Sequence, residues 1–320
     1  MQIENIKSKL IKFHKNLGVE ILSHQSPLTG NQFQGEFNVS GFHKEILDLS
    51  KSPKRFFGID KCMRLKEEVN LHSSYIFEMG IYAESVNLNE SFSEPFKDKI
   101  FLELQNKTIK QFLALLDCLE IDKSKLEATY LGNITFGVGI GRDRALQRKY
   151  SFQEDIESRR ILEKNAIKTF PVNSIKNVDI HPVEGALVGP RVEIAYNGAE
   201  IATIVFDCFK IQNGTLIPIN YIGGYAMGIE RLTLTISDKK DLIEINKQFS
   251  EKLNELAKES PAIKSSLFDK EKYIVIYGLE VFNELKNINS LSEGQNKVLN
   301  NFKKMFKEAL DKLGLQNRMF

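Results

Sequence analysis

Apolar residues recur every three to four positions at both ends of the chain, which is the spacing of one face of an α-helix. This pattern predicts helices over residues 2–17 and 298–314, each with one buried apolar stripe and a glycine at its end. Further helices are predicted over residues 41–53, 106–120 and 152–165. The first of these is expected to stop before Pro53, because a proline disfavours helical backbone in the residue that precedes it.

Runs of β-prone apolar residues separate the predicted helices. Residues 55–65 and 73–84 are two such runs joined by the charged loop KEEVN, so they predict an antiparallel pair of strands. A strand is expected over 126–131, and the segment from Val183 to Leu234 is predicted to be strand-like with Asn-Gly turns. The chain is therefore expected to be a mixed protein of helices and strands.

The chain changes character at residue 238, where it becomes highly charged and is predicted to be mostly helical. A short strand is expected at residues 272–278, and a break at Ser260-Pro261. These shifts place a domain boundary near residue 237, which divides the chain into residues 1–237 and 238–320.

Composition excludes several classes of protein. The 44 Lys and Arg nearly balance the 42 Asp and Glu, so nucleic-acid binding by bulk positive charge is excluded. The three cysteines are far apart with no CxxC pair, which fits a reducing compartment and argues against a disulfide scaffold or a cysteine-built zinc site. The apolar runs are far shorter than the ~20 residues of a membrane span. We expect a cytoplasmic protein that makes no membrane contact.

The glycine-punctuated insert at residues 132–150 has the glycine spacing of a phosphate-binding loop in part of its length. It is not the dinucleotide fingerprint, because Arg142 stands where the third glycine belongs, and it lacks the Gly-Lys-Ser/Thr of a P-loop. Its glycines lie beside Arg142, Arg144 and Arg148 and could surround a phosphate or an RNA backbone. A hairpin with solvated charges is the favoured interpretation.

The strongest chemical signal is split between two distant motifs. KCMRLKEEVNLHSSYIFEMGI (61–81) places Arg64 near the end of one strand and Phe77 on the returning strand, and IGGYAMGIERLTLTI (222–236) contains Arg231. A guanidinium is planar and permanently charged, so it suits nucleotide phosphates and can stack on a base. Each arginine alone is more often a surface ion-pair partner. Their occurrence together in this order indicates a nucleotide site.

These motifs make residues 3–237 resemble the catalytic domain of a class II aminoacyl-tRNA synthetase, most of all that of alanyl-tRNA synthetase. FNVSGFHKEIL through Pro53 resembles motif 1, KRFFGIDKCMR with SSYIFEMG resembles motif 2, and AMGIER resembles the GMGLER of motif 3. EGALVGPRVEIAY and EIATIVFDCF resemble the two strands between them. The resemblance implies an α+β fold, with an antiparallel sheet flanked by helices, followed here by a small mainly helical C-terminal extension.

The resemblance also implies a reaction, in which ATP activates an amino acid as an aminoacyl-adenylate and releases pyrophosphate. Arg64 would bind the α-phosphate and stabilise charge, and Phe77 would stack on adenine. Arg231 would cover the other face of the base and reach the γ-phosphate. Glu193 and Glu200 match acidic positions of the two inner strands and are candidates for magnesium or ribose contacts. ATP and Mg²⁺ are therefore the implied cofactors.

The amino-acid half of the site departs from the family pattern. Gly224 replaces the aspartate that grips the substrate ammonium, and Thr203 replaces a strand asparagine. Thr203, Val205 and Asp207 share one face if the strand is regular, so Asp207 is the candidate substitute for binding the ammonium. The alternative is a solvent-exposed aspartate at a strand end. We hypothesise a substrate other than alanine, or a larger analogue.

The acceptor of the activated amino acid is left open by the sequence. Residues 238–320 carry 15 basic and 13 acidic residues, which does not favour RNA, and a helical cap or a dimer contact is preferred over a tRNA module. Three functions remain: a minimal synthetase that charges tRNA, a ligase that charges a carrier protein or small molecule, and an inactive nucleotide-binding paralogue. His72 and His181 have no cysteine or histidine partner at metal-ligand spacing, and the other histidines are expected at the surface.

Overall fold

A computed structural model of the chain describes residues 3–23, 37, 41–66, 68–70, 72–88, 94–138, 148–180, 185–237, 239–286, 288 and 290–316. Its α-helices, in chain order, are α1 (Ile3–Asn16), α2 (His43–Leu49), α3 (Lys99–Cys118), α4 (Ile156–Lys164), α5 (Ile229–Ile236), α6 (Leu242–Ile245), α7 (Lys247–Glu259), α8 (Asp269–Leu285) and α9 (Glu293–Lys312). Its β-strands are β1 (Glu20–Leu22), β2 (Arg55–Met63), β3 (Ile76–Val86), β4 (Leu126–Leu131), β5 (Ile134–Val138), β6 (Arg148–Phe152), β7 (Lys168–Val172), β8 (Val178–Ile180), β9 (Leu187–Tyr196), β10 (Ala199–Gln212) and β11 (Thr215–Gly228).

One mostly antiparallel sheet organises the molecule. Its strands follow the order β1-β2-β3-β11-β10-β9-β4-β7, and β8 adds to β9. Only the outer pairs β1–β2 and β4–β7 are parallel among the described strands. Helices pack against this sheet and continue into a C-terminal helical part, so the predicted α+β class, with an antiparallel sheet flanked by helices, is confirmed.

The glycine-punctuated insert begins and ends as a two-stranded hairpin, in which β5 pairs with β6 in antiparallel register. Arg148 lies at the start of β6 and is exposed. Arg142 and Arg144 fall outside the described residues, so a phosphate-binding or RNA-binding role for them stays a prediction.

The C-terminal helices join the same hydrophobic core as the sheet. Tyr75 meets Phe302 edge-on with ring centroids 4.8 Å apart, and the Tyr277 hydroxyl donates to the Asn70 carbonyl at 3.3 Å. The boundary near residue 237 stays a prediction. No helix in the described part of the chain combines the length and the apolar character that a membrane span requires.

The strand predicted at residues 272–278 is wrong, because this segment lies inside the helix α8. Tyr273, Ile274, Val275, Ile276 and Tyr277 are all buried, so the segment contacts apolar neighbours on every side. A short continuous apolar run has no periodicity that separates a buried helix from a buried strand. Asp269 and Glu271 in the first turn favour the helix, since acidic side chains stabilise a helix N-terminus.

His14 is buried, which contradicts the expectation that it lies at the surface. It shares the buried stripe of α1 with Ile3, Ile6 and Leu10, and it is 0% exposed. Its Nδ1 donates to the Leu10 carbonyl at 2.8 Å, which leaves Nε2 to accept from the Tyr225 hydroxyl at 2.7 Å. The ring stacks on Phe57 with centroids 3.7 Å apart. Burial lowers the pKa of His14 to about 4, so the imidazole is neutral at pH 7.

This burial predicts a loss of stability in acid. Between the ordinary pKa of 6.5 and the folded value of about 4, the unfolded chain binds a proton at His14 that the folded chain does not. The free energy of unfolding should therefore fall by about 3 kcal/mol as the pH falls through this window. Urea unfolding across the same range should show a flatter profile in His14→Gln. The exposed His72→Gln should keep the wild-type slope, and an unchanged slope in His14→Gln would contradict the assignment.

Candidate active site

The sheet register aligns the candidate residues on one face. Thr203 of β10 lies opposite Glu193 of β9 and Ala226 of β11. Ala226 in turn lies opposite Ile81 of β3, and residues 77, 79 and 81 of that strand share a face because side chains alternate. Phe77, Thr203 and Glu193 are therefore brought to one side of the sheet from three different strands.

A cavity of about 380 Å³ opens on this face. Of the residues predicted to bind ATP and metal, all contribute to its lining: Arg64, Phe77, Glu193, Glu200 and Arg231. Thr203 also lines the cavity. The helix α5 begins directly after Gly228, at the end of β11, and supplies Arg231 from its first turn. The volume lies within the range of small-molecule sites in proteins.

Arg64 and Phe77 form a contact pair at one side of the cavity. The antiparallel pairing of β2 and β3 continues past Met63, since the Arg64 amide donates to the Tyr75 carbonyl at 2.9 Å. This pairing brings the Arg64 guanidinium over the Phe77 ring, with Cζ 4.8 Å from the ring centroid. The arrangement is a cation–π contact, in which a flat cation covers an aromatic face.

Arg231 faces Glu200 across the cavity. The closest guanidinium nitrogen lies 3.9 Å from Glu200 Oε2, and both side chains are about half exposed. Thr203 Oγ1 donates to the other oxygen of Glu200 at 3.2 Å. A loose, solvated pair of this kind adds little to stability, so both groups remain available to a ligand.

Arg191 is a cavity residue that the sequence interpretation missed. Its Nη2 donates to Glu193 Oε1 at 2.6 Å, so Glu193 is held in a charge-assisted hydrogen bond. The sequence does contain a signal for Arg191, because residues 191 and 193 share a face of one strand. Arg191 adds a third arginine to the cavity beside Arg64 and Arg231.

Glu230 was also missed, and it connects the two arginine motifs. Its Oε1 accepts a hydrogen bond from the Glu78 backbone amide at 2.9 Å, and its Oε2 is buried without a hydrogen-bond partner among the described residues. Burial, with smaller contributions from the Glu78 and Glu280 carboxylates, raises the pKa of Glu230 to about 8. Because Glu78 follows Phe77 and Glu230 precedes Arg231, this bond joins β3 to the first turn of α5 beside both residues.

Asp207 lies further along the same face but does not line the cavity. It is 2% exposed and hydrogen-bonds to Asp179 of β8, and its Oδ1 has no partner in the described part of the chain. Burial and the neighbouring Asp179 raise its pKa well above the ordinary value. Asp207 is therefore buried in the middle of β10, contrary to the alternative of a solvent-exposed aspartate at a strand end.

Val205 and Gly224 fill the space between the cavity and Asp207. Val205 lies opposite Gly224 on β11 and opposite Arg191 on β9, and neither Val205 nor Gly224 lines the cavity. The next register position places Asp207 opposite Ile222. The structure thus brings Thr203 to the candidate nucleotide residues and separates the other three amino-acid candidates from them.

The donor set of the cavity suits magnesium better than a transition metal. Glu193 and Glu200 present carboxylate oxygens, and Mg²⁺ is commonly held by one or two carboxylates together with substrate phosphates. In the described ranges, no group of three or more His, Cys, Asp or Glu side chains is arranged to hold a metal ion. His72 lines the cavity, and His181 falls outside the described residues.

No family model and no curated protein matches the chain. It is similar to two solved structures of pyrrolysyl-tRNA synthetase from Desulfitobacterium hafniense. One, PylSc, is 12% identical and has a TM-score of 0.39, and the match covers 75% of this chain and 71% of the PylSc chain. The other is also 12% identical, covers 77% and 73%, and has a TM-score of 0.42. Neither is an alanyl-tRNA synthetase, so that part of the resemblance stays a prediction.

Proposed function

We propose that this protein uses ATP to activate an amino acid as an aminoacyl-adenylate, in the manner of an aminoacyl-tRNA synthetase. The observation that carries the proposal is the convergence of Arg64, Phe77 and Arg231 with two carboxylates on one cavity. These residues come from β3, β9, β10, α5 and the end of β2, so the sheet assembles the group from segments far apart in sequence. A structural role alone would not require it.

Adenine would stack on Phe77, with the Arg231 guanidinium over its other face. In the structure the Arg64 guanidinium covers one face of the Phe77 ring. A base that stacks on this face would displace the guanidinium toward the α-phosphate. There it would stabilise the charge that develops as the substrate carboxylate attacks phosphorus and pyrophosphate leaves. Adenylate formation depends on positioning and on electrostatic stabilisation more than on a side-chain nucleophile. The site contains the residue types that this reaction needs.

Glu193 and Glu200 are the residues that would hold Mg²⁺ in this site. The ion supplies positive charge to the phosphate oxygens when it is bound. Arg191 would keep Glu193 oriented by donating to its Oε1. Among the contacts described, this leaves the second carboxylate oxygen of Glu193 for the ion. Thr203 would orient Glu200 through its hydroxyl.

We propose Asp207 as the group that binds the substrate ammonium, in a site completed by Thr203, Val205 and Gly224. Val205 would have to move aside, because it lies between the cavity and Asp207. The buried, unpartnered Oδ1 supports this role, since an ammonium would satisfy it. The Asp179–Asp207 pair would give up a proton as the ammonium binds, because opposite charge favours the ionised carboxylates. The proposed substrate is an amino acid other than alanine, or a larger analogue, because Gly224 and Thr203 replace the residues that bind the amino acid in the resembled family.

The activated amino acid would be transferred to tRNA, to a carrier protein or to a small molecule. A homodimer is compatible with this proposal. Neutralising Arg142, Arg144 and Arg148 of the insert at residues 132–150 would test tRNA as the acceptor.

ATP–pyrophosphate exchange over a broad panel of amino acids tests the proposal. We expect exchange with at least one amino acid larger than alanine. Asp207→Asn should lower kcat/KM for that amino acid by about tenfold or more, because the substitution weakens a charge-assisted hydrogen bond to the ammonium. The KM for ATP should change little. ATP binding without exchange for any amino acid would instead indicate an inactive paralogue. Exchange with alanine that is unaffected by Asp207→Asn would contradict the substrate assignment.

A further inference from the structure

A groove separate from the candidate active site lies between the helices α7, α8 and α9. Its volume is about 1130 Å³, and it shares no lining residue with the 380 Å³ cavity. Adenylate formation uses none of the residues that line it. We call it the C-terminal groove.

The floor of the C-terminal groove is an apolar stripe along α8 and the segment that follows it. Leu279, Phe282, Leu285, Ile288 and Leu291 repeat every three residues, and each is only half-buried. Such a row is normally covered in a folded protein, since apolar area left in water costs about 25 cal/mol per Å². In the part of the chain that the structure describes, the row still faces the open groove.

The helix α9 forms one wall and is fixed close to α8. A Cβ atom on Gly278 would lie 2.6 Å from Phe306 Cε2, so glycine permits this close packing. Phe306 also meets Phe282 edge-on at 4.9 Å. Along α9 the lining positions 296, 299, 303, 306 and 307 follow helical spacing. They span about 16 Å at 1.5 Å per residue, which is three turns of a helix.

The rim of the groove carries an excess of positive charge. Lys286, Lys303 and Lys307 are exposed and form no ion pair with any carboxylate that the structure describes. On the opposite wall, Glu251 is paired with Lys247 at 3.5 Å, which leaves Glu255 as the unpaired acid. The uncompensated charge therefore lies mainly beside α8 and α9.

We propose that the C-terminal groove binds an amphipathic helix with an acidic face, supplied by a partner protein. Three helices with an open apolar floor accept a fourth by the packing of a helix bundle, with apolar anchors at i, i+3 or i+4, and i+7. The lysines on the rim select an acidic partner, since complementary charge steers association and disfavours basic helices. The inference goes beyond the proposed reaction, and exchange activity should not depend on the groove.

A designed peptide tests this proposal with the full-length protein. The peptide has about 16 residues, enough for the three turns of the groove, with leucines at helical spacing and glutamates elsewhere. A second peptide carries lysine in place of every glutamate. We expect fluorescence anisotropy to show binding of the acidic peptide at least about tenfold tighter than that of the basic peptide.

Variants on α9 separate the groove from general surface charge. Lys303→Glu with Lys307→Glu should weaken binding of the acidic peptide by about tenfold, because two favourable contacts become repulsive. Lys297→Glu with Lys304→Glu makes the same charge change at α9 positions outside the groove, and it should change affinity by less than about threefold. Both double variants should keep wild-type circular dichroism.

Several results would overturn the proposal. These are no binding of the acidic peptide, equal binding of the two peptides, or equal loss of affinity in the two double variants. Sedimentation velocity that shows a dimer, abolished by the Lys303 and Lys307 changes but not by the matched pair, would assign the groove to a second copy of this chain instead.

Discussion

Arg64→Ala is expected to lower ATP–pyrophosphate exchange by about 100-fold or more, which is the usual cost of removing one preorganised group that stabilises transition-state charge. The strand pairing holds the Arg64 backbone at the edge of the cavity, and its guanidinium would leave the Phe77 ring for the α-phosphate when the base binds. Arg64→Lys should recover only part of the rate, since an ammonium keeps the charge but loses the planar fork that contacts two phosphate oxygens. The measurement is the exchange rate at saturating ATP with the best amino acid of the panel.

A matched control separates this effect from loss of an arginine in general. Arg160 of α4 is exposed and pairs with Glu157 at 2.6 Å, far from the cavity lining. Arg160→Ala should exchange at close to the wild-type rate. The free energy of unfolding should change by less than about 1 kcal/mol in either variant. An Arg64→Ala protein with normal exchange would remove Arg64 from the proposed reaction.

The candidate nucleotide residues were predictable because their signals are local. Alternation within β9 places Arg191 and Glu193 on one face from the sequence alone, and alternation within β10 does the same for Thr203 and Asp207. The turns at Asn197-Gly198 and Asn213-Gly214 join the strands, and both asparagines adopt the positive φ that such turns require. Glu193 lies opposite Thr203 because a β-bulge between Glu200 and Ala202 shifts the register by one residue, which the sequence pattern does not predict. Arg191 follows from the same alternation and could have been included.

Other features depend on contacts between segments that are distant in sequence. The Glu230 carboxylate accepts from the Glu78 amide, which is 152 positions away in the sequence, so no local pattern predicts this contact. His14 and Phe13 are neighbours on a helix, and only the packing of Phe57 and Tyr225 decides which one faces the core. The start of α3 at Lys99, seven residues before the predicted start at 106, is set by Asp98, whose side chain caps the Ile100 amide.

The burial of Asp207 likewise comes from packing that the sequence pattern does not contain. The register of β10 against β9 shifts between Val205 and Phe209, so Asp207 lies at an irregularity in the sheet. Gly189 of β9 approaches this point closely and pairs with Asp179 of β8. Alternation along β10 therefore predicts the face of the sheet on which Asp207 lies, but it does not predict that β8 packs beside this residue.

Gly189→Ala is expected to destabilise the protein by more than about 3 kcal/mol, since backbone overlap cannot be relieved by a change of rotamer. An added Cβ would lie 2.7 Å from Asp207 Cα and 2.6 Å from the Phe206 carbonyl carbon. Relief of the overlap would move β9 away from β10, which would also separate Asp179 from Asp207. Thermal unfolding and urea unfolding measure the loss of stability.

Gly228→Ala provides the comparison within the same sheet, because an added Cβ there would lie 3.8 Å from the Arg231 side chain and would make ordinary contact. Its unfolding free energy should stay within about 1 kcal/mol of wild type. Gly189→Ala should also lose exchange activity at temperatures where it remains folded, since the proposed ammonium site is displaced. A Gly189→Ala protein as stable as Gly228→Ala would contradict the close approach of β9 to β10, and with it the buried position of Asp207 on which the substrate proposal rests.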